Sequence, residues 1–220
     1  IVNSFFCNNF VKYHTQQMYK VFFNQKPLIL TSKIIKSCDS KPFMHMKFCS
    51  RNQILKALKS KKIESVYLYH KNINKLWEIF TKKFPIKDAA GGLVQGNNNK
   101  LLFIYRKNRW DLPKGGVEKN ELIIEAAQRE VKEETGLADI IVIKKIGETY
   151  HLFNNGKNYR LKRTYWFEMK TDYKGDLFPQ EEEGITSVEW ISIKRIPEIF
   201  ENAYENIKGI VEKVIQEQVL

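Results

Sequence analysis

The sequence predicts an α/β protein, an α/β/α sandwich in which helices cover a mixed sheet, preceded by a small α+β unit. Three observations lead there. From residue 86 onward, apolar strand-like runs alternate with turn signals, and the pattern is broken by one internal helix and closed by a C-terminal one. No fixed-period repeat is visible, which sets solenoid and propeller architectures aside. The chain has 220 residues, of which 43% are hydrophobic and 13% aromatic, enough to fill a core; no run of eighteen apolar residues offers a membrane span.

Taken in order, residues 1–17 read as a poorly ordered or non-native extension. They begin at Ile1, the first methionine is Met18, and Asn3, Ser4, Asn8 and Asn9 interrupt the apolar stretch that a signal peptide needs. A strand (YKVFF), a turn at 24–27 and a second strand (LILTSKII) then make a hairpin. Residues 37–42 read as a loop, 51–60 as a short helix and 66–70 as a strand. Residues 72–84 form an amphipathic helix with Ile73, Leu76, Trp77 and Phe80 on one side, ended by Pro85. Residues 18–84 are thus expected to be a basic α+β accessory domain, bounded at 84–87, with 85–220 as the second domain. There the strands AAGGLVQ, LLFIYR, IIVIKKIGETYHLF, YRLKRTYWFEMK and SVEWISI are separated by GNNNK, NNG and a charged loop.

Charge is uneven. Residues 1–90 hold 17 Lys and Arg against 4 Asp and Glu, whereas residues 91–220 hold 20 against 21. A basic half can hold nucleic acid by counterion release. Its lysines are scattered rather than clustered, which weighs against a nucleic-acid partner and leaves one open through this unit alone. The cysteines Cys7, Cys38 and Cys49 are odd in number and lack C-x-x-C spacing, so they suit neither a disulfide framework nor a zinc site and point to a reducing, cytoplasmic setting. A homodimer is left open. His14, His45, His70 and His151 show no metal-ligand spacing and read as structural or exposed.

The chemistry lies in GGVEKNELIIEAAQREVKEETGL, from Gly115 to Leu137. Asn120 is placed to cap a helix that Gly136 ends, with Ile124, Ala127 and Val131 as its packing stripe. Glu118, Glu121, Glu125, Glu130, Glu133 and Glu134 face only Lys119, Arg129 and Lys132. Glu130, Glu133 and Glu134 sit at i, i+3 and i+4, so their carboxylates converge within about one turn. Hard oxygen donors without His or Cys favour Mg²⁺ or Mn²⁺, and Arg129 reaches Glu133 at i+4. A solvated acidic helix is the competing reading of any such run.

At every fixed position these residues resemble the Nudix box, G-x5-E-x7-REUxEExGU: Gly115, Glu121, Arg129, Glu130, Val131, Glu133, Glu134, Gly136 and Leu137. The resemblance extends over about residues 88–196, through the GG strand, LLFIYR, WDLPKG and Trp190, and leaves 18–84 outside it. It implies the Nudix sandwich for 85–220 and Mg²⁺- or Mn²⁺-dependent hydrolysis of a pyrophosphate bond in a nucleoside diphosphate-linked small molecule. It further implies metal ligation by Glu130, Glu133, Glu134 and the Lys114 carbonyl, with Glu121 and Arg129 supporting them. By the same resemblance Glu130 is the general base, or else a glutamate of the later loop at 181–183, with Glu183 taken as representative of Glu181, Glu182 and Glu183.

Arg106, Arg109 and Lys114 are expected to meet phosphate oxygens, and Tyr150 and Tyr165, among Phe153, Tyr159 and Trp166, to stack on a base. Trp110-x-x-Pro113-Lys114-Gly115 is similar to the lead into the box in hydrolases of dinucleoside and diphosphoinositol polyphosphates. Dinucleoside polyphosphates are therefore the expected substrate. NTPs, ADP-ribose, nucleotide sugars, RNA 5′ ends and a non-catalytic nucleotide sensor are the alternatives. The ADP-ribose reading is weakened because no proline lies between Pro113 and Pro179.

Overall fold

A β-hairpin opens the part of the chain that the structure, a computed structural model, describes, residues 18–219. The expectations for 1–17, and with them Cys7 and His14, lie outside the described residues. β1 (Met18–Phe23) and β2 (Lys26–Thr31) pair in antiparallel fashion across a turn in which Asn24 takes a φ of 55°, a conformation that Asn tolerates. β2 stops short of the expected strand because the Thr31 hydroxyl accepts the Lys33 N–H at 3.0 Å and turns the chain.

β3 (Phe43–His45) forms just after the expected loop, too short to show a period of its own. α1 (Arg51–Lys59) starts from a capping box. The Ser50 hydroxyl accepts from the Gln53 N–H at 3.2 Å, and the Gln53 side chain accepts from the Ser50 N–H at 2.8 Å. β4 (Val66–Tyr69) leads to α2 (Ile73–Lys83), capped by Asn72. Leu76 and Phe80 of α2 are fully buried, each worth about 1.5–3 kcal/mol.

Next come β5 (Ile86–Gln95), β6 (Lys100–Arg106), β7 (Arg109–Asp111), β8 (Lys114–Gly116) and α3 (Ile123–Thr135). They are followed by β9 (Ile141–Asn154), β10 (Tyr159–Lys170), β11 (Ile185–Ser192), α4 (Ile196–Glu201) and α5 (Glu205–Val219). The expected single terminal helix is broken at 202–204. There the Trp110 N–H donates to the Asn202 carbonyl at 2.9 Å and the Tyr204 N–H to the Trp110 carbonyl at 3.2 Å, so the chain docks on β7 instead of staying helical.

Among the described residues the strands make one mixed eleven-stranded sheet in the order β11-β6-β5-β10-β9-β1-β2-β4-β3, with β7 on β6 and β8 on β5. The parallel pairing of β1 with β9, Val21 opposite Tyr150 and Phe23 opposite Leu152, joins residues 18–84 to the remaining sheet. The two parts share a core as well. Val21, Leu28, Leu30, Val66 and Leu68 pack with α1 and α2 and also with Tyr150, Leu152 and Leu161. On the central strands alternation divides the two faces. Ala90, Val94, Leu102, Phe167 and Met169 meet α3, whereas Leu93, Leu101, Phe103 and Trp166 meet α4 and α5. No helix among the described residues is long and apolar enough to cross a membrane.

Candidate active site

α3 begins later than the sequence suggests. Asn120 has a φ of 67° and lies outside the helix; the Glu125 carboxylate accepts the Leu122 N–H at 3.3 Å and closes the first turn. The packed stripe is Ile123, Ala126, Ala127 and Val131, and Ile124 is left 41% exposed. Gly136 ends the helix with a φ of 75°, its N–H donating to the Lys132 carbonyl at 2.8 Å.

Arg129 organises the outer side of this helix. Its Nε and Nη2 donate to the two oxygens of Glu121 at 2.7 and 2.9 Å, and Nη2 also reaches the Gly116 carbonyl at 2.9 Å. Its Nη1 donates to Glu130 at 2.8 Å and to Glu133 at 3.0 Å, so one nitrogen holds two of the three glutamates together. Glu121 in turn accepts the Glu118 N–H, which ties the preceding loop to the helix. A Cβ at Gly115 would fall on the Glu130 carboxylate, so β8 and α3 approach this closely only with glycine there.

The third glutamate faces inward. Glu134 is 1% exposed; it accepts the Lys114 backbone N–H at 2.8 Å and lies 3.4 Å from an Arg106 nitrogen. Burial outweighs the neighbouring Lys114 and Arg106 and pushes its pKa up to about 7. Burial also raises Glu130, against the pull of Arg129 and aided by the charges of Glu133 and Glu183. Glu183 belongs to the exposed turn Glu181–Glu183.

Acidic oxygens confined in this way, with burial opposing their charge, suit a hard divalent cation. Among the described residues no three His, Cys, Asp or Glu side chains are already gathered as a cation cage: Glu130 and Glu133 share Arg129, and Glu134 is engaged with Lys114 and Arg106.

Beside these glutamates lies a cavity of about 290 Å³ lined by Arg106, Lys107, Lys114, His151 and Lys162 around one carboxylate, Asp111, with Phe153 and Tyr204 in its wall. The Lys114 ammonium donates to Asp111 at 2.5 Å. Burial, reinforced by Lys114 and Arg106, lowers Lys162 to about 8, and burial with the charges of Lys162 and Lys114 lowers His151 to about 4. Burial is the larger cause of both shifts, and the neighbouring cations add to it.

Of the residues expected to meet phosphate oxygens, Arg106 and Lys114 line this cavity. Arg109 is not part of the lining; its guanidinium lies 5.8 Å from the Tyr204 ring centre. Tyr150 and Tyr165 point away from the cavity. In the β9–β10 register His151 is opposite Lys162, while Tyr150 is opposite Arg163, on the other face. Tyr150 packs edge-on to Tyr19 and Trp77, and Tyr165 lies under Lys145 and Arg163. Lys107, Asp111, His151, Lys162 and Tyr204 are cavity residues that sequence reasoning missed. The signal for Lys162 was the polar alternation Arg160, Lys162, Thr164 along β10.

A family profile described as NUDIX domain matches residues 85–212, more than half of the chain. The chain belongs to the Nudix family. It is accordingly a hydrolase acting on pyrophosphate bonds, in a family that typically uses divalent metals. The chain is 28% identical over 151 residues to an RNA pyrophosphohydrolase of Pelagibacter ubique, covering 60% of this chain and 94% of that protein. It is 45% identical over 79 residues to an RNA pyrophosphohydrolase of Bartonella tribocorum, covering 31% of this chain and 46% of that protein. Among solved structures it is similar to a MutT protein from Methanosarcina mazei Go1, with 21% identity, a TM-score of 0.49, and coverage of 62% of this chain and 97% of that one. The Nudix box of this chain is the β8–α3 unit described above.

Proposed function

We propose that this Nudix protein hydrolyses a phosphoanhydride in the polyphosphate chain at the 5′ end of RNA. The observation that carries the reading is the cavity: Arg106, Lys107, Lys114, Lys162 and His151 around a single Asp111 select a ligand with several negative charges close together. The name RNA pyrophosphohydrolase on relatives in Pelagibacter ubique and Bartonella tribocorum supports RNA as the group carrying them. A dinucleoside polyphosphate presents the same phosphate chain and is the second reading, favoured by Phe153 and Tyr204, two rings in the wall able to face a base.

In this reading Glu130, Glu133, Glu134 and the Lys114 carbonyl hold Mg²⁺ or Mn²⁺. When bound, such an ion neutralises phosphate oxygens and lowers the pKa of a bound water. Arg106 and Lys162 hold the remaining phosphate oxygens, and Arg129 fixes Glu130 and Glu133 relative to β8. Glu130, raised above the ordinary carboxylate value, accepts the proton of the attacking water at its carboxylate oxygen, and Glu183 is the nearby group able to share that role.

Initial rates in Mg²⁺ on a 5′-triphosphorylated dinucleotide, diadenosine tetraphosphate, ADP-ribose and ATP test the reading. The triphosphorylated dinucleotide is expected to lead in kcat/KM by about 10-fold or more. ADP-ribose or ATP in first place overturns it, and binding without turnover at any metal concentration makes the protein a nucleotide sensor.

A further inference from the structure

The sheet face around β1–β4 opposite α1 and α2 carries rings where a solvated face would carry polar residues. Val21, Leu28, Leu30, Val66 and Leu68 point into the core, so their strand neighbours lie on the other side. These neighbours include Phe43, His45, Tyr67 and Tyr69, all half-buried, in register across β3 and β4 as Phe43 opposite Tyr67 and His45 opposite Tyr69. The Phe43 and Tyr69 ring centres are 5.2 Å apart, and those of His45 and Tyr69 5.5 Å. Lys20 and Lys47 stand exposed on this unit, in the half of the chain where basic residues outnumber acidic ones 17 to 4. In the sheet register the face adjoins the cavity: His151 in the cavity wall is opposite Phe22, which is buried and opposite Pro27, and the next row runs through Lys20, Ile29, Tyr67 and Phe43.

We propose that this face is a stacking platform for single-stranded RNA, receiving the nucleotides that follow the 5′ phosphates. Flat rings spaced across strands and flanked by cations match unpaired bases on a polyanionic backbone. A lipid surface would call for contiguous aliphatic side chains, and an acidic peptide has no need of rings. The inference rests on the RNA reading of the cavity for the direction of the chain, and its test is independent of turnover.

Anisotropy of a labelled 5′-hydroxyl RNA of about eight nucleotides reads binding to the full chain without any reactive phosphate. Wild type is expected to bind it in a salt-dependent way. Tyr69→Leu and Phe43→Leu each weaken binding by about 5-fold or more. Lys20→Glu, a change at an exposed side chain, also weakens it. The same three variants leave turnover of a triphosphorylated dinucleotide within about two-fold of wild type, because so short a substrate does not reach the platform. No binding by wild type, unchanged affinity in all three variants, or tighter binding of an acidic peptide or of anionic vesicles overturns the platform. Binding that behaves as expected while no triphosphorylated RNA is hydrolysed overturns the substrate reading and leaves the platform standing.

Discussion

Glu134→Gln should stabilise the metal-free protein while destroying its activity. The carboxylate is 1% exposed and its pKa rises from the ordinary 4.5 to about 7 on folding, because burial outweighs Lys114 and Arg106. An acid with a raised folded pKa costs stability where it is charged. The cost is absent below about 4.5, grows as pH rises, and is complete above about 7. At about 1.4 kcal/mol per pKa unit, the difference amounts to about 3 kcal/mol. Glutamine keeps an oxygen for the Lys114 N–H and carries no charge. Urea unfolding in EDTA should therefore show wild type losing about 3 kcal/mol between pH 4.5 and 8 relative to Glu134→Gln, and the variant should be the more stable protein at pH 8. Added Mg²⁺ should raise the midpoint of wild type and leave the variant nearly unmoved. A variant less stable than wild type at pH 8, or with the same pH slope, refutes the assignment of Glu134 as a buried charge held for a cation.

Other perturbations follow from the same contacts. Gly115→Ala drives a Cβ into the Glu130 carboxylate and should cost about 1–3 kcal/mol of stability, together with about a 100-fold loss in kcat/KM; wild-type rates would contradict the close approach. Arg129→Lys keeps the charge but loses the fork to Glu121. Combined with Glu121→Gln in a double-mutant cycle read by urea melts, it should show a coupling of about 1–2 kcal/mol, and additivity within about 0.5 kcal/mol would dismiss the link. Lys162→Met should raise KM for a triphosphorylated substrate by about 10-fold with little change in kcat. In wild type, KM should climb as pH rises through about 8, where Lys162 loses its proton, and a flat profile would remove it from the phosphate site.

What the sequence made legible is local. The C-terminal part of α3 reads directly because its glutamates, Arg129 and the terminal Gly136 are fixed by helical periodicity and by one left-handed residue, whereas its start and its packed stripe differ from the expectation. β3, β7 and β8, three residues each, have no period to show. The cavity was hidden for a different reason. Its residues come from β6, β7, β8, β9, β10 and the start of α5, and a shift of one position along β9 exchanges His151 for Tyr150, the cavity for the core. The union of residues 18–84 with the main sheet through β1 and β9 was equally invisible, since parallel pairing between distant strands leaves no mark in either.

The most direct measurement is the rate of pyrophosphate-bond cleavage against Mg²⁺ concentration for wild type and for Glu133→Gln, whose side chain is half exposed and makes a small contribution to the fold. Saturable activation of wild type, none in EDTA, and a loss of about 100-fold or more in the variant are predicted. Turnover that survives EDTA, or a variant as fast as wild type, would contradict the account.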